Sequence, residues 1–162
     1  MIDLIRQKIQ DIPKAQRRLA VWRFLGQKIV FTNGCFDLIH PGHLQYLAEA
    51  RSLGHRLIVG LNSDASTQRL KGENRPIIDQ DARAFLLASL SFVDMVVLFE
   101  EDTPLNLINA LKIDILVKGG DYRVDEVVGA KEVTERGGIV QILSFLPGHS
   151  TSQIEAKILG GS

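Results

Sequence analysis

KIVFTNGCFDLIHPGH, residues 28–43, runs from an unbroken apolar stretch through a polar loop to a proline placed where a helix begins. Near-continuous apolarity over KIVFTN (28–33) is the pattern of a parallel strand covered on both faces, and Pro41 suits a first helical turn, where its missing N–H costs nothing. The same kind of run recurs as RLIVGLN (56–62), MVVLF (95–99), DILVKG (114–119) and GIVQIL (138–143). Helix candidates lie between and after them, at 41–53, 79–91, 103–112, 125–136 and 150–159, with Thr103 as a cap ahead of Pro104 and Ser150 or Thr151 as a cap of the last. Strands alternating with helices are joined by right-handed crossovers. The expectation is therefore an α/β fold: a doubly wound, five-stranded parallel sheet with helices on both faces.

Working outward, residues 1–25 read as an N-terminal helical extension and 26–162 as the main domain. Ile2, Ile5, Ile9 and Ile12 fall at spacings of three and four, an apolar stripe on one helix; Pro13 marks a break, and 15–24 forms a second short helix. The extension packs on the domain or serves as a dimer contact. With 19 Lys+Arg against 19 Asp+Glu, the formal net charge is zero, which excludes a simple nucleic-acid polymer binder. One cysteine, Cys35, excludes a disulfide framework or a multi-cysteine metal site and fits a reducing, cytoplasmic setting. No apolar run is long enough to suggest a membrane span, and the first twenty residues carry charge every few positions, unlike a signal peptide.

In such sheets ligands bind outside the carboxyl ends of the strands. The segments after the strands, 32–43, 62–76, 99–104, 118–123 and 146–152, hold every histidine except His55, together with Asp37, Asp64, Lys71, Lys118 and Asp121. Neither G-x-G-x-x-G nor the P-loop pattern occurs. After the first strand stands His40-Pro41-Gly42-His43, an H-x-G-H at a helix start. A first turn offers unpaired N–H groups and a partial positive charge to an anion. Gly42 removes a side chain from the approach, and two imidazoles three residues apart share one side of the turn. Capping or packing by His43, and metal ligation by the two histidines with a further ligand, are the alternatives.

TNGCFDLIHPGH, NSDASTQRLKGENRPI, LFEEDTPLNLI, KGGDYRVDEVVGAKEV and LPGHSTSQI, in this order, resemble the cytidylyltransferase-like H-x-G-H superfamily. Within it they are similar to the nucleotidyltransferase half of the bifunctional heptose enzymes of lipopolysaccharide precursor synthesis. The resemblance covers about residues 26–160 and lacks the sugar-kinase half, which implies a stand-alone adenylyltransferase fed by a separate kinase. The reaction implied joins heptose 1-phosphate and ATP to give ADP-heptose and pyrophosphate, with Mg²⁺ accompanying ATP and no dedicated protein metal site. Related transferases, such as a CTP-dependent glycerol-phosphate enzyme, remain the alternative, as does a nucleotide-sensing module without turnover.

Carried over residue by residue, the resemblance implies that His40, His43 and Lys71 are catalytic. Thr32, Asn33, Gly34, Cys35, Phe36 and Asp37 would form the loop beneath the nucleotide, joined by Gly42, Arg83, Gly119, Ser150, Thr151 and Ser152. Asp64, Arg75, Lys118 and Asp121 would bind the sugar phosphate. Cys35 is expected as a small loop residue, not a nucleophile, and Asp37 orients the loop or a bound metal. Lys71 is expected in a Gly-adjacent loop, as a mobile cation reaching both substrates' phosphates, and Arg83 at a phosphate or paired with Asp79 or Glu73. The superfamily often places a basic residue soon after the Ser/Thr pair; here Gln153 and Glu155 follow, so Ser150 to Ser152 are carried over only as hydroxyl and backbone donors. ATP and a heptose 1-phosphate are the implied partners, in a homodimeric protein without membrane contact.

Overall fold

The computed structural model describes residues 1–160, so the final two positions of the expected 26–162 domain lie outside the described residues. Five strands form one parallel sheet: β1 (Ile29–Gly34), β2 (Arg56–Asn62), β3 (Met95–Phe99), β4 (Ile115–Gly119) and β5 (Ile139–Leu143), in the order β3-β2-β1-β4-β5. Each coincides with an apolar run of the sequence to within a residue or so. The helices are α1 (Ile2–Arg6), α2 (Ile12–Phe24), α3 (Pro41–Ser52), α4 (Asp64–Lys71), α5 (Gln80–Ser89), α6 (Leu105–Leu111), α7 (Ala130–Glu135) and α8 (Thr151–Leu159).

Strand side chains alternate between two cores. Ile29, Phe31, Ile58, Met95, Val97 and Leu116 face α2, α6 and α7, where Leu19, Trp22, Leu107, Ile108 and Val133 cover them. Val30, Leu57, Val59, Val96, Ile115 and Val117 face α3 and α5, meeting Leu47, Ala50, Ala84 and Leu87. Burial on both faces gives β1 to β4 their continuous apolar runs, whereas the edge strand β5 carries no fully buried residue.

The chain leaves β1 in one direction through β2 and β3, then returns to add β4 and β5 on the other side. That reversal puts the topological switch point between β1 and β4. The two strands are in register only at Val30 with Ile115 and Phe31 with Leu116. Beyond that, β1 stays paired to β2 as far as Gly34 with Leu61, while β4 follows β5 as far as Gly119 with Leu143. The sheet therefore parts at its carboxyl edge, between Asn33-Gly34 and Lys118-Gly119.

Several expected elements are corrected. The isoleucine stripe does not lie on one helix: α1 ends at Arg6, Ile9 bridges in parallel to Val96, and Pro13 sits in the first turn of α2 instead of breaking a helix. Asp11 caps α2, accepting from Lys14 N–H at 2.9 Å. Ala15 and Leu19 of α2 are fully buried, so the extension forms part of the sheet's cover. The segment leading to Lys71, expected as loop, is helix α4, whose buried face is made of Ser66 and Thr67 and carries no apolar stripe. The 125–136 candidate divides into a 3₁₀ turn, Val124–Glu126, and α7, since Gly129 adopts φ +87° and an added Cβ would stand 2.7 Å from Ile108 Cδ1. Thr103 does not cap α6; Pro104 takes the cap position without a side-chain bond.

One buried cation ties the carboxyl-edge loops together. Arg83 on α5 is fully buried; Nε donates to Ile78 O, Nη1 to the carbonyls of Cys35 and Asn62, and Nη2 to Asp64 at 2.7 Å. Removing it takes a donor from three carbonyls, of which Asn62 O keeps only a long bond from Thr67 Oγ1 at 3.5 Å, and the ion-pair partner from Asp64. Arg83→Met is expected to cost about 3 kcal/mol or more, lowering Tm by roughly 10 °C for a domain of this size. Calorimetry showing a Tm within 2 °C of the parent's would contradict this role.

Candidate active site

At the parted strand ends the loop from β1 to α3 is folded by its own residues. Phe36 adopts a left-handed φ of +46°, which turns its ring under Gly34, where a Cβ would stand 2.9 Å from Phe36 Cε2. Asp37 is buried and accepts from the N–H groups of Ile77 and Ile78 at 2.9 Å and from Arg75 Nη1 at 2.7 Å. Burial opposes ionisation of Asp37, but the bonds from Ile78, Ile77 and Arg75 outweigh it and hold the carboxyl below its ordinary value. Of the two roles expected for Asp37, this geometry is that of loop orientation. Arg75 also pairs with Glu155 of α8.

His40 occupies the cap position of α3 and His43 its first turn, with His43 N–H donating to His40 O at 2.9 Å. Their rings stack at 3.9 Å between centroids, 27° apart, and Phe36 packs edge-on against His43 at 5.3 Å. The Nδ1 atoms of both histidines are buried without a hydrogen-bond partner among the described residues. Burial, then the neighbouring His40, push His43 down to about 4; burial and His149 also lower His40. Both imidazoles are therefore biased towards the neutral form, against a bond with the Leu38 backbone that favours the charged form of His43. Gly42 serves the rings as much as the approach: a Cβ there would lie 2.9 Å from His40 Cε1 and 3.2 Å from His149 Cβ. That contact brings the loop before α8 against the first turn of α3. Ser150 caps α8, accepting from Gln153 N–H at 3.1 Å, so two helix starts converge.

A cavity of about 510 Å³ fills the gap. Among its walls are Asn33, Gly34, Cys35, Phe36, Asp37 and His43 from the first loop. Lys71, Arg75, Lys118, Gly119, Thr151 and Ser152 complete the expected residues there. Lys71 ends α4 instead of riding a loop, with Gly72 at φ +108° immediately after it. Lys118 is pushed down by burial, then by the like charge of Lys71, which lines the same cavity. Among the described residues neither lysine has an ion-pair partner.

Other expected residues lie elsewhere. Arg83, expected at a phosphate, is the buried tie described above, and its acidic partner is Asp64, not Asp79 or Glu73. Asp64 is thereby engaged away from the cavity. Thr32 is buried beneath the site, bonded to the Tyr46 hydroxyl at 2.6 Å. Asp121 is exposed and does not line the cavity. Sequence reasoning missed the aromatic walls Tyr46, Tyr122 and Phe145. Gly119 is the signal that would have found one of them, since a Cβ there would meet Phe145 Cε1 at 2.7 Å.

A cytidylyltransferase-like family model matches residues 31–157. The chain belongs to this family. Among curated relatives it is 54% identical over 152 residues to the bifunctional protein HldE of Citrifermentans bemidjiense, a match covering 94% of this chain and 31% of that protein. HldE of Geobacter sulfurreducens is 52% identical over the same shares. The chain thus spans about a third of the length of these relatives. Among solved structures, the lipopolysaccharide core biosynthesis protein from Thermoplasma volcanium shares the fold with a TM-score of 0.60 and 32% identity, over 75% of this chain and 98% of that one. In this cytidylyltransferase-like chain no helix of the described residues is long and apolar enough to cross a membrane.

The depressed His43 value carries a sign. An unfolded chain takes up this proton near 6.5, whereas the folded chain does so only near 4. The unfolded state therefore binds more protons in that interval, and stability is full above 6.5 and declines as pH falls towards 4. Urea midpoints measured across this window should fall for the parent and fall less for His43→Gln; parallel curves would refute a buried, neutral His43.

Proposed function

We propose that this chain is a nucleotidyltransferase that joins heptose 1-phosphate to ATP, giving ADP-heptose and pyrophosphate. The observation that carries the reading is His43, stacked on His40 at one helix start, lining the same cavity as the start of α8 and the Lys71 and Lys118 side chains. The heptose assignment is supported by more than 50% identity to HldE along nearly the whole chain.

The chemistry asks little of the protein beyond position and charge. A phosphate monoester has its second pKa near 6, so the attacking oxygen of the sugar phosphate is already ionised and no general base is needed. That oxygen forms a bond to the α-phosphorus of ATP while the bond from the α-phosphorus to the bridging oxygen breaks, and the electron pair leaves with pyrophosphate. Lys71 and Lys118 hold the two reacting phosphates together against their repulsion. His40, His43 and the N–H groups of α3 and α8 receive the charge that builds on the equatorial and leaving oxygens. Thr151 and Ser152 add hydroxyl donors, while Tyr46, Tyr122 and Phe145 offer apolar surface to a base.

Among the described residues no group of three or more His, Cys, Asp or Glu side chains is placed to hold a metal ion. Asp37 is already saturated by Ile77, Ile78 and Arg75, so these residues do not fit a resident metal. Mg²⁺ belongs to the reading as part of the Mg–ATP substrate. The setting proposed is cytoplasmic, where the free thiol of Cys35 stays reduced. A homodimer is proposed as well, supported by the exposed Val21, Phe24 and Leu25 on the outer side of α2 and its end.

Sugar 1-phosphates assayed against ATP and CTP by pyrophosphate release test the reading: turnover is expected with heptose 1-phosphate and ATP. Turnover with CTP alone would transfer the chain to the cytidylyltransferases, and none with any heptose phosphate would reject the substrate. His43→Ala should lower kcat by about 10²-fold, the scale of one lost preorganised donor; near-parental turnover would remove His43 from the chemistry. Sedimentation equilibrium should give twice the chain mass, and a monomer at micromolar concentration would overturn the dimer.

A further inference from the structure

A second cavity, of about 430 Å³, adjoins the first. The two share Asn33, Gly34, Cys35, Lys71, Lys118 and Tyr122, so the lysine pair stands at their junction. Their far walls differ in chemistry. The first cavity ends on His43 and on the hydroxyls of Thr151 and Ser152, groups that attract anions. The second runs away from the histidines towards Asp102, Thr103 and Glu126, with Pro104, Val127 and Val128 as apolar surface.

Polarity decides which substrate belongs where. A triphosphate laid in the second cavity would bring its charges against two carboxylates. A sugar 1-phosphate has the matching polarity: one dianionic end for the lysines, and a hydroxyl-bearing end whose O–H groups donate to carboxylates in short, charge-assisted bonds. We propose that the second cavity is the sugar subsite, with Asp102 and Glu126 accepting from the hydroxyls farthest from the phosphate. The assignment rests on the nucleotidyltransferase reading of the preceding subsection.

Both carboxylates are held in place by one oxygen. Arg69 Nε donates to Asp102 Oδ1 at 2.8 Å, and Arg123 N–H donates to Glu126 Oε2 at 3.0 Å. Among the described residues neither second oxygen has a protein donor. The arrangement also gives the reaction a direction. The sugar phosphate arrives at the lysine pair from the Asp102/Glu126 side, and pyrophosphate departs towards the histidines and α8, so attack and departure lie on opposite sides of the α-phosphorus, as in-line transfer requires.

Glu126→Gln and Asp102→Asn test this on the intact chain. Gln keeps an acceptor for Arg123 N–H, and the Arg69–Asp102 pair is half exposed or more on both sides, so neither change threatens folding. Each variant is expected to raise both the KM for heptose 1-phosphate and its Kd by isothermal titration about tenfold, the scale of one charge-assisted bond, with the KM for ATP within about twofold of the parent's. The kcat/KM preference for heptose over hexose 1-phosphates should narrow in the same variants. A raised KM for ATP with sugar binding unchanged would place the nucleotide in the second cavity, and no change in either would leave the sugar elsewhere; both overturn the subsite. If the parent chain turns over no sugar phosphate, the enzymatic reading fails on its own. Titration then still decides the subsite: heptose 1-phosphate binding weakened by the two substitutions supports it, and binding absent or unaffected overturns it.

Discussion

The structure turns on the place where β1 and β4 stop pairing. A parallel sheet satisfies its backbone by lateral hydrogen bonds, and here the central pair keeps register for only two residues, Val30 with Ile115 and Phe31 with Leu116. Past that point each strand leans on its outer neighbour, and the central backbone groups of Asn33-Gly34 and Lys118-Gly119 face a gap. Because the chain reverses direction of winding there, loops and helix starts from both halves of the fold converge on it. The glycines at 34 and 119 keep the opening usable, since each is packed against an aromatic ring that a Cβ would strike.

Charge in this gap is supplied sparingly. Burial biases the histidines at the start of α3 towards the neutral form, so before ligand arrives the cation count rests on Lys71 and Lys118, with Arg75 paired to Asp37 and Glu155. Neutral imidazoles next to a helix start avoid stacking like charges on the partial positive end of α3. The zero net charge of the chain is therefore compatible with a cleft biased to anions, because the acidic residues near it are either paired with arginine or set on the far wall of the second cavity.

The sheet was legible because β1 to β4 are buried on both faces and read as apolar runs, while the edge strand β5, half-buried to exposed, keeps the same Ile/Val-rich pattern. The H-x-G-H loop was legible because a proline, a glycine and two histidines at a helix start have few other uses. What escaped the sequence was set by tertiary partners. Arg83 carries the same charge as Lys71, and only its complete burial under Cys35, Asn62 and Ile78 separates a structural tie from a ligand contact. Helix α4 buries hydroxyls in place of a hydrophobic stripe, so its period was invisible. Asp121 sits in a glycine-rich turn that suggested ligand contact, yet the turn aims Tyr122 and not the carboxylate into the cavity.

The Arg75 bridge has a consequence for how stability is distributed. Helix α8 contributes no buried residue to either core, while Glu155 on it pairs with the same guanidinium that holds Asp37. The wall of the site that carries Thr151 and Ser152 therefore belongs to a lightly packed part of the molecule, and its closure is linked by one arginine to the loop under the first strand. Local unfolding free energies should form a gradient, steep from the Arg83-tied floor to the C-terminal wall. In such a molecule the entrance and exit of ligands can proceed by undocking one helix, at no cost to the sheet.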